Sequence, residues 1–93
     1  MAGRSRMNHI VYILFSDSLM TYYVGQTENL DRRLIDHNSG RGKHTSKGSP
    51  WRLIEKFDCR DRTEAVRLEK TIKKRGIKRY LLDKHLLDDN LGM

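Results

Sequence analysis

The sequence has little of what secreted and membrane-bound proteins depend on. Its one cysteine, Cys59, excludes an internal disulfide and favours a reducing compartment. The longest apolar run, residues 10–15, has six residues, whereas a membrane-spanning helix needs about 20. No apolar stretch follows the arginines near the N-terminus, as a secretory signal would require. We therefore expect a cytoplasmic protein, associated with the nucleoid if it is bacterial.

The chain is also short, and acidic residues are in the minority. Its 93 residues suffice for one domain with a single small core, which we expect over residues 9–88. Residues 1–8 are expected to be a disordered basic arm or a leftover of cloning, and residues 89–93 a C-terminal tail. The net charge is +7, from 19 Lys and Arg against 12 Asp and Glu, which suits a polyanionic partner such as nucleic acid. The four histidines show no paired ligand spacing, so a structural zinc site is not expected.

Two runs rich in β-branched and aromatic residues, 10–15 and 21–25, predict a β-hairpin. The polar residues between them accept turn conformations. If the turn is centred on Asp17 and Ser18, paired residue numbers sum to 35 and Tyr12 faces Tyr23. Their Cβ atoms would then lie roughly 5 Å apart, and a slip of one residue would separate them.

A short helix is predicted next, from an N-cap at Asn29 to a stop at Gly40. Its buried stripe includes Leu34, and Arg33 and His37, four residues apart, flank that stripe. Taken singly, each is readily explained as an ordinary half-buried side chain. Beside two tyrosines, a guanidinium and an imidazole favour phosphate chemistry.

The second half of the chain predicts a strand and two helices. Residues 41–50 form a basic loop rich in glycine and serine, and a third strand covers residues 51–57, with Trp51 as a core anchor. A helix over residues 62–75 is capped by Asp61 and closed by Gly76. Residues 77–88 suggest a final amphipathic helix that packs on the core.

Glu69 breaks the apolar pattern of the helix over residues 62–75. It lies four residues after Ala65 and three before Ile72, on the apolar face. A buried carboxylate needs a cation, a metal or hydrogen-bond donors. One interpretation is a structural ion pair with an arginine. The other is a divalent metal held at a phosphate, since Mg²⁺ often uses only one or two protein carboxylates.

Positive charge is concentrated in one region. Residues 60–80 carry nine Lys or Arg and three Asp or Glu, a net of +6, and residues 81–93 carry −2. The basic region is expected to face nucleic acid. Six cations are predicted to contact the nucleic-acid backbone without reading bases: Arg41, Lys43, Lys47, Lys73, Lys74 and Arg75.

These residues, in this order, resemble the GIY-YIG nuclease family, particularly its short single-domain members. The family is named after two three-residue motifs, Gly-Ile-Tyr and Tyr-Ile-Gly. Tyr23-Val24-Gly25 matches the second motif, and Val11-Tyr12 matches the end of the first, with Ile10 in the place of its glycine. The correspondence covers about residues 9–75. It continues through Asn29-Leu30, Arg33, His37, Asn38-Ser39-Gly40, Pro50-Trp51 and Glu64-Ala65 to Glu69.

The resemblance implies a small α/β domain in which helices flank a three-stranded antiparallel sheet. It also implies hydrolysis of a DNA phosphodiester with Mg²⁺ or Mn²⁺, in DNA repair, recombination or processing.

The resemblance also implies roles for single residues. Tyr12 would be the general base and Tyr23 would orient the water or phosphate, although the reverse assignment stays open. Arg33 would offset charge on the phosphoryl oxygens, and His37 would hydrogen-bond the phosphate or water. Two further residues complete this set, His44 to help deprotonate the tyrosine and Glu69 to hold the metal.

Two other functions fit the same residues. The domain could grip nucleic acid without cutting it, or act as a nuclease subunit that needs a protein partner. A homodimer that cuts both strands is a further alternative. The sequence leaves open which DNA structure is preferred, and whether the substrate is DNA or RNA.

Overall fold

The computed structural model describes residues 8–39 and 46–87 as a three-stranded antiparallel sheet with helices on both faces. This confirms the predicted α/β fold. The sheet order is β2-β1-β3, and no helix in the described part is long and apolar enough to cross a membrane. In chain order the elements are β1 (His9–Ser16), β2 (Thr21–Thr27), α1 (Leu30–Asn38), a 3₁₀ turn (Ser46–Gly48), β3 (Trp51–Cys59), α2 (Arg62–Arg75) and α3 (Ile77–Asp83).

The central strand β1 separates two cores. Because successive side chains of a strand point to opposite faces, Val11 and Ile13 pack in one cluster with residues of α2 and α3. Tyr12 and Leu14 face the other way and pack with Trp51 and with residues of α1. All four of these β1 side chains are fully buried.

The register of the hairpin differs from the predicted one by two residues. Ser16 pairs with Thr21, so paired numbers sum to 37, and Tyr12 lies opposite Gly25 while Leu14 lies opposite Tyr23. The turn has four residues instead of two. The Ser16 hydroxyl accepts the Leu19 N–H at 3.0 Å, and Met20 takes a positive φ of 52°. A shift of two residues preserves the faces, so both tyrosines still project from the same side of the sheet.

The helix termini follow the predicted signals at three points. The Asn29 side chain caps α1 by accepting the Arg32 N–H at 3.1 Å. The Asp61 side chain caps α2, and Gly76 ends α2 at a φ of +99°, in the region that only glycine adopts readily. At its other end α1 stops at Asn38; the predicted stop, Gly40, lies outside the described residues.

The last helix is shorter than predicted, ending at Asp83 instead of residue 88. His85 adopts a left-handed φ of 61° and its N–H donates to the Leu82 carbonyl, while the Leu86 N–H donates to Leu81 at 2.8 Å. These two bonds form a Schellman motif, which terminates a helix. The residue at its left-handed position is usually glycine, so a histidine there gave no stop signal.

Candidate active site

The tyrosine pair is packed over Gly25. Tyr12 lies across its pairing partner so closely that a Cβ on Gly25 would stand 2.6 Å from the Tyr12 hydroxyl and 3.1 Å from the Tyr23 ring. Only glycine leaves room for this approach. The two tyrosine ring centroids are 6.3 Å apart.

His37, on the buried face of α1, joins the two tyrosines. Its Nε2 lies 2.9 Å from the Tyr12 hydroxyl oxygen, within hydrogen-bond distance. The imidazole also packs against Tyr23, with ring centroids 5.1 Å apart, and Tyr23 in turn packs against Trp51 at 6.1 Å. Sequence analysis placed His37 on a phosphate or a water; the structure places it on the tyrosine predicted to be the base.

The C-terminal residue of α1 ties that helix to β3. The Asn38 carboxamide accepts the Trp51 N–H and donates to the Trp51 carbonyl, at 3.2 Å for the second bond. One side chain thereby satisfies both backbone groups of the first residue of β3. The clamp fixes the ends of α1 and β3 that carry His37 and Trp51, both of which contact the Tyr23 ring.

Burial sets the protonation states of the pair. It raises the pKa of Tyr12 well above the ordinary value for a tyrosine, and the neighbouring Tyr23 raises it further. Arg33 opposes this with its charge and a hydrogen bond, but does not reverse it. Burial also lowers the pKa of His37, and the charge of Arg33 adds to that effect. At neutral pH, Tyr12 is therefore a phenol and His37 a neutral imidazole.

Arg33 is the exposed member of this group, which we term the tyrosine site (Tyr12, Tyr23, Arg33 and His37). It also lines an open groove of about 610 Å³ with Arg32, Arg62 and Gln26. The guanidinium therefore connects the buried phenol to an open groove lined by charged residues of both signs.

Glu69 lies apart from this group, at the β2 edge of the sheet. Its side chain is 18% exposed, and Oε1 accepts a hydrogen bond from Gln26 at 3.1 Å while Oε2 pairs with Lys73 at 2.8 Å. The ion pair expected with an arginine is thus made by a lysine. Neither oxygen has a recorded contact with the tyrosine site, although the carboxylate contributes to the raised pKa of Tyr12. The pKa of Lys73 is itself raised, mainly by its hydrogen bond to Glu69.

Of the six cations predicted to contact the nucleic-acid backbone, Lys73 is paired with Glu69, and the other five divide into three groups. Lys47 and Lys74 are exposed. Arg75 forms a two-pronged ion pair with Asp83 at 2.7 and 3.1 Å, so it is already engaged in joining α2 to α3. The remaining residues, Arg41, Lys43 and also the predicted catalytic residue His44, lie outside the described part of the chain.

Sequence analysis missed Gln26 and Asn38 as parts of the site. Gln26 could have been found from the sequence. It follows Gly25 and lies on the same strand face as Val24, which packs toward α2, so its amide could be expected to meet a polar side chain of that helix. The role of Asn38 had none, because its partner Trp51 is 13 residues away and is brought close only by the fold.

Replacing Gly25 with alanine is expected to disrupt the site. The added Cβ collides with the Tyr12 phenol, which is fully buried and held by His37, so the ring cannot swing clear. We expect a loss of about 1–3 kcal/mol in the free energy of unfolding, as for other overpacked cores. Urea denaturation followed by circular dichroism measures it.

The matched control for Gly25→Ala is the same change in a Tyr12→Leu background. With the Tyr12 ring gone, only the contact with the Tyr23 ring at 3.1 Å is left, and most of the penalty should disappear. Equal penalties in the two backgrounds would show that collision with Tyr12 is not the cause.

Known proteins are similar to this chain in sequence and in fold. The family model described as the GIY-YIG catalytic domain matches residues 8–81. A UPF0213 protein of Halalkalibacterium halodurans is 40% identical over 68 residues, covering 72% of this chain and 71% of that protein. A UPF0213 protein of the archaeon Halobacterium salinarum is 41% identical over 70 residues, covering 72% and 86%.

A solved structure is similar as well. The solution NMR structure of a UPF0213 protein from Bacillus halodurans matches with a TM-score of 0.53 and 34% identity, over 86% of this chain and 85% of that one. The names of these relatives state no activity.

Proposed function

This chain belongs to the GIY-YIG family of catalytic domains, and from that premise we propose that it is a metal-dependent endonuclease that hydrolyses DNA phosphodiesters. The observation that carries the proposal is the 2.9 Å contact between the Tyr12 hydroxyl and His37 Nε2. A buried phenol on a neutral imidazole, beside an exposed guanidinium, is suited to moving a proton at a phosphate.

We propose that Tyr12 and His37 act as a proton relay. Because the pKa of Tyr12 is raised, a phenolate would be rare at neutral pH. The phenol instead passes its proton to His37 Nε2 as its oxygen takes one from the attacking water. The new P–O bond forms as the bond to the leaving oxygen breaks, and no free phenolate is needed. In this scheme His37 has the role that sequence analysis gave to His44.

In the proposed mechanism, Arg33 supplies the positive charge that binds the phosphate. It hydrogen-bonds Tyr12 and is exposed on the groove side. A guanidinium can hold two phosphoryl oxygens at once and stabilise the negative charge that builds on them. Tyr12 has no exposed surface in this structure. We propose that a phosphate draws Arg33 away from the phenol and so opens the path for the attacking water.

The residues present fit a metal held mainly by one carboxylate. No group of three or more potential ligands occurs among the described residues, and Glu69 is a partly exposed carboxylate whose charge acts on Tyr12. Mg²⁺ and Mn²⁺ accept such sites when waters and substrate phosphates complete the shell. A bound metal would supply charge stabilisation for the leaving oxygen. Glu69 would hold it, and Gln26 would orient the carboxylate through Oε1.

The open groove beside Arg33 supports DNA as the substrate. Three arginines and two carboxylates, Glu28 and Asp36, line it, so its net charge is positive although Arg32 is paired with Asp36 at 3.8 Å. Lys74 and Lys47 add exposed cations elsewhere on the surface. Cations that meet phosphates without reading base edges give salt-sensitive binding with little sequence preference.

The proposal is tested by cleavage of labelled DNA. The panel contains single-stranded, duplex, flap and four-way DNA, each with Mg²⁺, Mn²⁺ or EDTA, and the protein is the full chain. We expect cutting of at least one form with metal and none with EDTA. Salt-sensitive binding without cutting in any metal would instead favour the binding module or a nuclease that needs a partner.

A further inference from the structure

We propose that the Lys73 ammonium is a built-in substitute for the divalent cation at Glu69, and that metal binding requires this lysine to leave. The inference rests on the proposed function, because it takes Glu69 as the metal-holding residue. It assigns to Lys73 a role different from the DNA contact predicted for it.

The first step is the occupancy of the carboxylate. Both Glu69 oxygens have partners: the amide of Gln26 on Oε1 at 3.1 Å, and the ammonium of Lys73 on Oε2 at 2.8 Å. A neutral amide donor does not repel a divalent cation, whereas an ammonium does. Gln26 can remain while a divalent ion binds the other oxygen, whereas an ammonium on that oxygen competes with the ion for the same lone pairs and repels its charge.

The second step is the mobility of the two side chains. The Glu69 side chain is 18% exposed and the Lys73 side chain is 59% exposed. The carboxylate is therefore fixed in the protein surface, and the ammonium sits on a flexible four-carbon stem at its solvent side. The lysine can rotate into water without disturbing the core.

The third step is what the lysine does in the absence of metal. A mostly buried carboxylate that lacks a cation is destabilised by desolvation. Glu69 and Lys73 are one helical turn apart, the spacing at which such pairs form on a helix. The pair keeps Glu69 oriented without metal, and sets the metal affinity below that of a carboxylate with no paired cation.

The test measures Mn²⁺ affinity directly, from the electron paramagnetic resonance signal of free Mn²⁺ titrated into the full chain without DNA. For Lys73→Met we expect an affinity about three- to tenfold tighter than in the wild type, since a contacting charge is removed. Lys73→Arg keeps the cation and should match the wild type.

Two controls separate competition from general charge effects. Lys70→Met removes the same charge from an exposed position of α2, next to Glu69 in sequence, and should change the affinity by less than about twofold. In a Glu69→Gln background, Lys73→Met should give no gain. Equal effects of Lys73→Met and Lys70→Met would overturn the inference.

Failure of the inference and failure of the proposed function remain distinguishable. If Glu69→Gln weakens Mn²⁺ binding but Lys73→Met does not strengthen it, the metal role of Glu69 stands and the lysine is not a competitor. If Glu69→Gln leaves Mn²⁺ binding unchanged, the metal does not bind at Glu69 and both proposals fall.

Discussion

Replacing Glu69 with glutamine is expected to lower the rate of DNA cleavage by at least about a thousandfold, because a metal that stabilises a leaving oxygen contributes several kcal/mol. The amide retains the shape of the side chain and an oxygen that can still accept the Gln26 hydrogen bond. DNA affinity should stay within about twofold, since the proposed phosphate contacts are the groove arginines, Lys47 and Lys74, and Lys73, which pairs with Glu69, is not among them. Cleavage assays with Mg²⁺ and fluorescence anisotropy in EDTA measure the two quantities.

Glu64→Gln is the matched control, because it is the same chemical change five residues earlier on α2. The Glu64 carboxylate accepts the Arg60 N–H at 2.6 Å and contributes to the helix cap, an interaction that an amide oxygen can replace. We expect cleavage within about twofold of the wild type. If the two glutamine variants cut DNA equally well, Glu69 has no metal role in catalysis.

Replacing Tyr12 with phenylalanine is expected to have the second largest effect, a loss of about 10²- to 10⁴-fold in cleavage rate, the range typical of removing a proton-transfer group. Only the hydroxyl is lost, and the ring still fills the space over Gly25. His37 loses its partner on Nε2, which is expected to lower the free energy of unfolding by about 1–2 kcal/mol. Single-turnover cleavage and urea denaturation separate the two effects.

Tyr23→Phe is the comparison that assigns the roles. Tyr23 is only partly buried, whereas Tyr12 is fully buried, so an orienting role predicts a smaller loss of about tenfold. A large loss in Tyr23→Phe together with an active Tyr12→Phe would reverse the assignment.

The pH profile separates a relay from a phenolate. A relay needs a neutral His37, whose pKa is lowered by burial. Its rate therefore rises as the pH passes upward through that lowered pKa and is level at neutral pH. A phenolate base, with its raised pKa, would instead give a rate that keeps increasing into the alkaline range.

The fold was largely readable from the sequence because its signals are local. Asn29, Asp61 and Gly76 mark helix ends by chemistry that acts within four residues. The hairpin register was read wrongly because it depends on whether Leu19 and Met20 begin the second strand or belong to the turn. That choice is made by a side-chain hydrogen bond to Leu19, which composition does not reveal.

The candidate site was readable only as a set of residue types. Both tyrosines were placed correctly on one face, because an error of two residues in the register does not change which side chains share a face. The hydrogen-bond partners within the site were not predictable, because partners lie far apart in sequence. Tyr12 and His37 are 25 residues apart, and Gln26 and Glu69 are 43 apart. The choice among such partners is made by packing.

The position of Tyr12 on the middle strand also determines how the protein loses its site. β1 is paired along both edges, and both of its faces are buried. Amide groups in such a strand typically exchange with solvent deuterium only when the whole domain opens, whereas helix ends and exposed side chains fluctuate freely. Arg33 and Lys73 can therefore rearrange many times within the lifetime of one folded molecule, around a tyrosine whose position changes only on global unfolding.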